Sequence, residues 1–220
     1  MLHGIRSTFD REFDQVRSEL LGMSVLVDTA IDHSMQALLE RDTNLADSVI
    51  NGDVEINKSR FEIEEDCLTL IATQQPTASD LREIIAILYM IVEMERMGDY
   101  AAGISKTVIL MEEEPLLKTF KKLFKMADIS RHMLSDSIQA FIKRDPVWAR
   151  EIARRDSEID ELYKIVFQRL VKIMAKDPDM VIRCTYLMWC SHNLERIADR
   201  VINISEQIVF MTTGLLKEFE

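Results

Sequence analysis

Apolar residues recur every three to four positions along most of the chain, as in Leu81, Ile84, Leu88 and Val92, or Ile152, Ile159, Val166 and Ile173. That spacing lines one face of an α-helix; a half-buried strand would alternate every second residue, and no stretch does so for long. Proline is disfavoured inside a helix, so Pro76, Pro115, Pro146 and Pro178 mark interruptions. Asp145-Pro146 and Asp177-Pro178 each read as an N-cap followed by the first helical residue. With one more turn near Arg41–Asn44, the pattern predicts six helices, over about 5–40, 44–73, 77–112, 117–144, 146–176 and 178–213. Only six glycines and four prolines occur in 220 residues. Few turn formers mean long elements, and long helices joined by tight turns fit antiparallel bundles.

The chain also matches itself. At a shift of 103, Gln36-Ala37 meets Gln139-Ala140, Arg41-Asp42 meets Arg144-Asp145, Ala46 meets Ala149, and Asp53, Glu55 and Ile56 meet Asp156, Glu158 and Ile159. At a shift of 100, Glu95-Arg96 and Asp99 meet Glu195-Arg196 and Asp199, and Ile104-Ser105 meets Ile204-Ser205. The shift changes where ATQQPTASD gives way to the shorter AKDPD, in a turn. The expectation is an all-α protein of two tandem three-helix bundles, residues 1–113 and 114–220, related by internal duplication.

Charge then narrows the function. The chain carries 38 acidic and 27 basic residues, a net charge of −11. Nucleic-acid affinity comes mainly from Lys and Arg, so no nucleic acid is expected as a partner. The N-terminus is charged from its start and lacks the apolar region of a signal peptide. The longest uncharged apolar run, Ile84–Val92, has nine residues against the roughly 20 that a membrane span needs. Cys67, Cys184 and Cys190 show no C-x-x-C spacing and read as reduced core thiols of a cytoplasmic protein. The 13 methionines are scattered like core filler. No P-loop, G-x-G-x-x-G or G-x-S-x-G is present, and no nucleophile has a base beside it, so no enzyme is expected.

Several acidic residues fall on packing faces. Glu95 and Asp99 are four apart and share a helix face with Leu81, Leu88, Val92 and Ala102; Glu195 and Asp199 repeat the spacing. Asp53/Asn57 and Asp156/Asp160 are spaced likewise on the preceding helices, and Asp156 is in step with Ile152, Ile159 and Val166. Residues equidistant from a turn lie level on antiparallel helices. The mean of 53 and 99 is 76, as is that of 57 and 95, and Pro76 lies in the turn; 156 with 199 and 160 with 195 both centre on Asp177-Pro178. Three carboxylates plus an amide oxygen thus converge in one half, and four carboxylates in the other. Such groups repel and raise one another's pKa unless positive charge sits among them. Arg96 and Arg196 can supply it, as can oxygen-held cations such as Mg²⁺, Mn²⁺, Ca²⁺ or iron. The plainer alternative is a solvated polar face.

Other features are weaker. His192, three before Glu195, has chelating spacing, but its repeat mate is Val92 and a partly buried, hydrogen-bonded histidine is the simpler reading. His3, His33 and His132 have no ligand spacing. The basic amphipathic stretch Leu117, Lys118, Phe120, Lys121, Lys122, Leu123, Phe124, Lys125 reads as an ordinary helix face, with a membrane surface or an acidic partner as the alternative.

With Leu194-Glu195-Arg196-Ile197-Ala198-Asp199 followed by Arg200 and Asn203-Ile204, the chain resembles the PhoU family of bacterial phosphate-signalling regulators. Met94-Glu95-Arg96-Met97-Gly98-Asp99-Tyr100-Ala101-Ala102 matches the same signature, and Asp53-x-Glu55-Ile56-Asn57 and Asp156-x-Glu158-Ile159-Asp160 match the family's other acidic motif. The resemblance implies multinuclear metal sites, one on Asp53, Asn57, Glu95 and Asp99 and one on Asp156, Asp160, Glu195 and Asp199. Iron, zinc, manganese and magnesium all accept such ligands. Asn57 stands where the family has an acid, so the first site is expected to be weaker or to hold fewer metals; Gly103 opposite Asn203 is a second asymmetry. The implied role is non-enzymatic negative regulation of phosphate uptake and phosphate-starvation signalling. The implied partners are the ATPase subunit of the phosphate ABC transporter and the phosphate sensor histidine kinase, with peripheral membrane association through them. A homodimer is the default assembly. The alternatives are an unmetallated adaptor bundle and a ferritin-like di-iron protein. The latter needs Glu-x-x-His, whereas Gly98 and Ala198 follow Glu95 and Glu195 at that distance.

Overall fold

The computed structural model describes residues 2–111, 120–215 and 219. Its helices are α1 (Leu2–Glu40), α2 (Thr43–Gln74), α3 (Ala78–Met111), α4 (Phe120–Lys143), α5 (Pro146–Arg154), α6 (Asp156–Lys176) and α7 (Val181–Thr213), and no strand occurs among the described residues. The all-α expectation holds. Two details differ from the sequence pattern. The helix expected over 146–176 is broken at Arg155, whose N–H bonds the carbonyl of Ile152 three residues back (3.0 Å) while its Nη1 donates to Asp136 on α4 (2.8 Å). α6 restarts at Asp156. The last helix begins at Val181, after a 3₁₀ turn at Pro178–Met180. The expected division at 113/114 lies outside the described residues, as do Leu117 and Lys118 of the basic stretch; within that stretch Lys125 Nζ donates to Glu158 Oε1 (2.5 Å).

The turns are built from the residues the sequence singled out. Asp42 caps α2 by accepting from Leu45 N, and Asp145 caps α5 by accepting from Val147 and Trp148 N. The residues before these caps, Arg41 (φ 57°) and Arg144 (φ 53°), are left-handed and occupy equivalent places in the repeat. The next amide in each turn reaches back five residues, Asp42 to Ala37 and Asp145 to Ala140, satisfying a helix-end carbonyl in the same way in both halves.

Helices α1, α2 and α3 pack on one another, α4, α5 and α6 pack on α7, and α3–α7 and α1–α4 contacts join the two sets. One hydrophobic core runs through both, from Phe13, Leu20 and Ile31 on α1 through Met90 and Met94 on α3 to Leu187, Leu194 and Ile197 on α7. Truncating a buried methionine such as Met94, 0% exposed, to alanine would cost about 2–5 kcal/mol. Cys67, Cys184 and Cys190 are free and buried in this core, and burial pushes the Cys67 and Cys190 thiols up to about 12.

The joints between halves obey the internal repeat. Arg131 on α4 forks onto Asp28 on α1, Nε to Oδ1 at 2.8 Å and Nη2 to Oδ2 at 2.9 Å, and the two residues are 103 apart, the repeat shift itself. A pair formed by repeat mates lies on the twofold that relates the halves. On α3 and α7, Asn203 Nδ2 donates to Glu93 Oε2 (3.0 Å), and the mate contact places Asn193 against Gly103, where a Cβ would come 2.9 Å from Asn193 Nδ2. The Gly103/Asn203 asymmetry thus follows from packing. A side chain at 103 would displace Asn193.

Candidate metal centres

On α2, Asp53 and Asn57 face Glu95 and Asp99 on α3 across the turn at Gln75–Thr77. Close approach of the two helices is set by Gly98, where an added Cβ would lie 2.9 Å from Ile56 Cδ1 and 3.0 Å from Asp53 Oδ1. Asp53 is half-buried, and its Oδ1 is shielded from solvent without a hydrogen-bond partner. Asn57 Nδ2 donates to Asp53 Oδ2 (2.9 Å) and to the Asp53 carbonyl (3.0 Å). Burial first, then the charge of Asp99, raises the Asp53 carboxyl above its ordinary value; the Asn57 hydrogen bond and Lys106 oppose this. Glu95 is raised by burial and then by Asp99 and Asp53, with Arg60 and Arg96 opposing.

In the second half the four carboxylates Asp156 and Asp160 on α6 and Glu195 and Asp199 on α7 interact as one group. Burial, followed by Asp160, Asp199 and Glu195, pushes the Asp156 carboxyl from 3.8 up to about 7. Glu195 is raised by burial and by Asp199, with Arg196 and His192 opposing. Asp156 Oδ1 and Glu195 Oε2 are both buried and accept no hydrogen bond. Arg196 Nη1 donates to Asp199 Oδ2 (3.0 Å), and Arg196 Nε and His192 Nδ1 lie 3.6 and 3.5 Å from Glu195 Oε2. Arg200 joins this cluster to the other half, 3.9 Å from Asp199 and donating to Glu93 Oε2 at 3.1 Å.

Of the residues equidistant from each turn, 53 interacts with 99, 156 with 199, and 160 with 195. The histidine differs from expectation. His192 is 49% exposed rather than partly buried, beside Glu195 and the ring of Tyr163. Arg60, which acts on Glu95, carries no signal in the sequence pattern; it lies on α2 three residues after Asn57, and its mate, Tyr163, carries no charge.

The donor sets are all oxygen, and each cluster holds at least one buried carboxylate oxygen that accepts no hydrogen bond, Asp53 Oδ1 in the first and Asp156 Oδ1 and Glu195 Oε2 in the second. This is the chemistry of a hard-cation site. Among the described residues, no three His, Cys, Asp or Glu side chains are already grouped tightly enough to hold one ion. Uncompensated like charges separate, so closure around an ion would require rotation of these side chains.

The model of the PhoU domain matches the chain twice, at residues 20–108 and 123–208, each match spanning one set of clustered carboxylates. The chain belongs to the PhoU family. It is similar to a phosphate-specific transport system accessory protein PhoU homolog of Pseudomonas putida, 36% identical over 97% of this chain and 84% of that one. A homolog of the same name from Clostridium acetobutylicum is 34% identical over 95% and 96% of the two chains. The fold superimposes on the crystal structure of PhoU from Pseudomonas aeruginosa with a TM-score of 0.90 at 32% identity, over 94% of this chain and 100% of that one. The phosphate transport system regulatory protein PhoU from Streptococcus pneumoniae gives 0.90 at 33% identity, over 96% and 100%.

Proposed function

We propose that this chain is a non-enzymatic negative regulator of phosphate uptake and phosphate-starvation signalling in the cytoplasm. The twofold family match, together with relatives named as accessory proteins of phosphate-specific transport, carries this reading. No helix among the described residues is long and apolar enough to cross a membrane, so contact with a membrane transporter would be made by docking. The partners of this reading are the ATPase subunit of the phosphate ABC transporter and the phosphate sensor histidine kinase. Asp53, Asn57, Glu95 and Asp99 would hold one metal centre, and Asp156, Asp160, Glu195 and Asp199 the other. A bound cation would supply the positive charge that the buried carboxylates lack, fixing α2 to α3 and α6 to α7 and so the surface offered to partners. Iron, zinc, manganese and magnesium all suit the ligands.

A second reading, an adaptor bundle without metal, draws on the Arg196–Asp199 hydrogen bond, which already neutralises part of the second cluster. Deleting the gene should raise phosphate uptake and starvation-gene expression in phosphate-rich medium; unchanged uptake and expression would refute the regulator. A pulldown from lysate, probed for the transporter ATPase and the kinase, tests the partners directly.

A further inference from the structure

We propose that Arg196 is the built-in counter-cation of the second carboxylate cluster, and that a metal and this guanidinium compete for Glu195 and Asp199. The proposal rests on the metal-binding reading above. Arg196 Nη1 donates to Asp199 Oδ2 at 3.0 Å, and its Nε lies 3.6 Å from Glu195 Oε2, the buried oxygen that accepts no hydrogen bond. A cation ligated by those two oxygens at about 2.0–2.6 Å would stand against the guanidinium, and like charges that close repel strongly in a partly desolvated site. The side chain is 42% exposed, so it can swing into solvent at little cost in burial.

In the first cluster the equivalent arginine is engaged elsewhere, and the charge that acts on Glu95 comes first from Arg60. Arg96, the mate of Arg196, lies 3.6 Å from Glu93 Oε1. Glu93 sits on the joint between halves, held by Arg200 and Asn203, and draws Arg96 toward it. The mate of Glu93 is Asn193, which is neutral and packs against Gly103. With no carboxylate at 193 to hold it, Arg196 turns to Glu195 and Asp199 instead. One acid-to-amide difference at the joint therefore decides where each arginine spends its charge.

The test uses the full chain stripped with a chelator, in an Asp99→Ala background that disables the first cluster. Mn²⁺ alone is titrated by calorimetry, and folding is checked by thermal melting. Arg196→Gln should tighten Mn²⁺ binding roughly tenfold, or make it measurable where the background shows none, in line with the effect of outer-shell groups on metal sites. Arg196→Lys keeps the charge and should stay within about threefold of the background. Unchanged or weaker binding in Arg196→Gln, with the background binding normally, overturns the competition and leaves the metal site standing. Absence of Mn²⁺ binding in the background, in Arg196→Gln and in the unmutated chain overturns both.

Discussion

The two carboxylate clusters occupy equivalent places in a duplicated chain yet solve the same electrostatic problem differently. The first replaces one acid by Asn57, whose amide donates to Asp53, and its Glu95 feels the opposing charge of Arg60 on α2 ahead of that of Arg96. The second keeps four acids and takes its charge from Arg196, which donates to Asp199, with Arg200 3.9 Å from the same carboxylate. It has one carboxylate more, and its arginine is hydrogen-bonded to one of the four. Duplication preserved the convergence of acids, while the compensating charges diverged, because compensation needs only a cation nearby and no particular helix need supply it.

The largest test of this comparison is at the joint. Glu93, with its side chain 12% exposed, holds Arg200, which is 16% exposed, whereas its mate Asn193 holds no ion. Glu93→Ala should cost about 2–3 kcal/mol in chemical denaturation by leaving Arg200 poorly paired, and Asn193→Ala under about 1 kcal/mol. Equal losses would show that the halves are joined symmetrically after all.

A pH dependence comes next. In the unfolded chain Asp156 titrates near 3.8, and in the folded, metal-free chain near 7. Between those values the folded state holds a proton that the unfolded state has released, so stability falls as pH rises from about 4 to 7. Asp53, Glu95 and Glu195 are shifted in the same direction. Thermal melts of chelator-treated protein should therefore decline across that range. Asp156→Asn should flatten the decline more than Asp53→Asn does. A flat profile in the unmutated protein would contradict the crowding of charge described for the second cluster.

The smallest effect falls at Gly98, whose mate is Ala198. An alanine at 98 gains helix propensity of about 1 kcal/mol but pushes on Ile56 and Asp53. Gly98→Ala should change the unfolding free energy by less than about 1 kcal/mol, since the gain in propensity offsets the pressure on Ile56 and the Asp53 carboxylate can rotate away. A loss well above that would mean α2 and α3 cannot give way.

How much of this the sequence could reveal differs by kind of contact. Helices with 3.6-residue spacing, prolines after capping aspartates and acids equidistant from a turn are local or nearly local signals, and the first and last residues of α2 and α3 fell within a few positions of expectation. The break at Arg155 depends on Asp136, on another helix, and has no proline or glycine to announce it. The Glu93–Arg200 and Asp28–Arg131 pairs join residues more than 100 apart, and hydrophobic patterning says nothing about which charges meet. One signal did exist: an aspartate and an arginine at equivalent repeat positions, 28 and 131, mark a pair across a twofold once duplication is recognised. Arg60 left no such trace, because its mate Tyr163 carries no charge.

The central claim is that the two acid clusters are cation sites. Elemental analysis of the purified, desalted full chain beside its Glu195→Ala and Asp199→Ala variants tests it most directly. The account predicts bound metal in the unmutated protein and a clear loss of it in both variants, with the remainder belonging to the first cluster. Metal content identical in all three, or none in any, would contradict it.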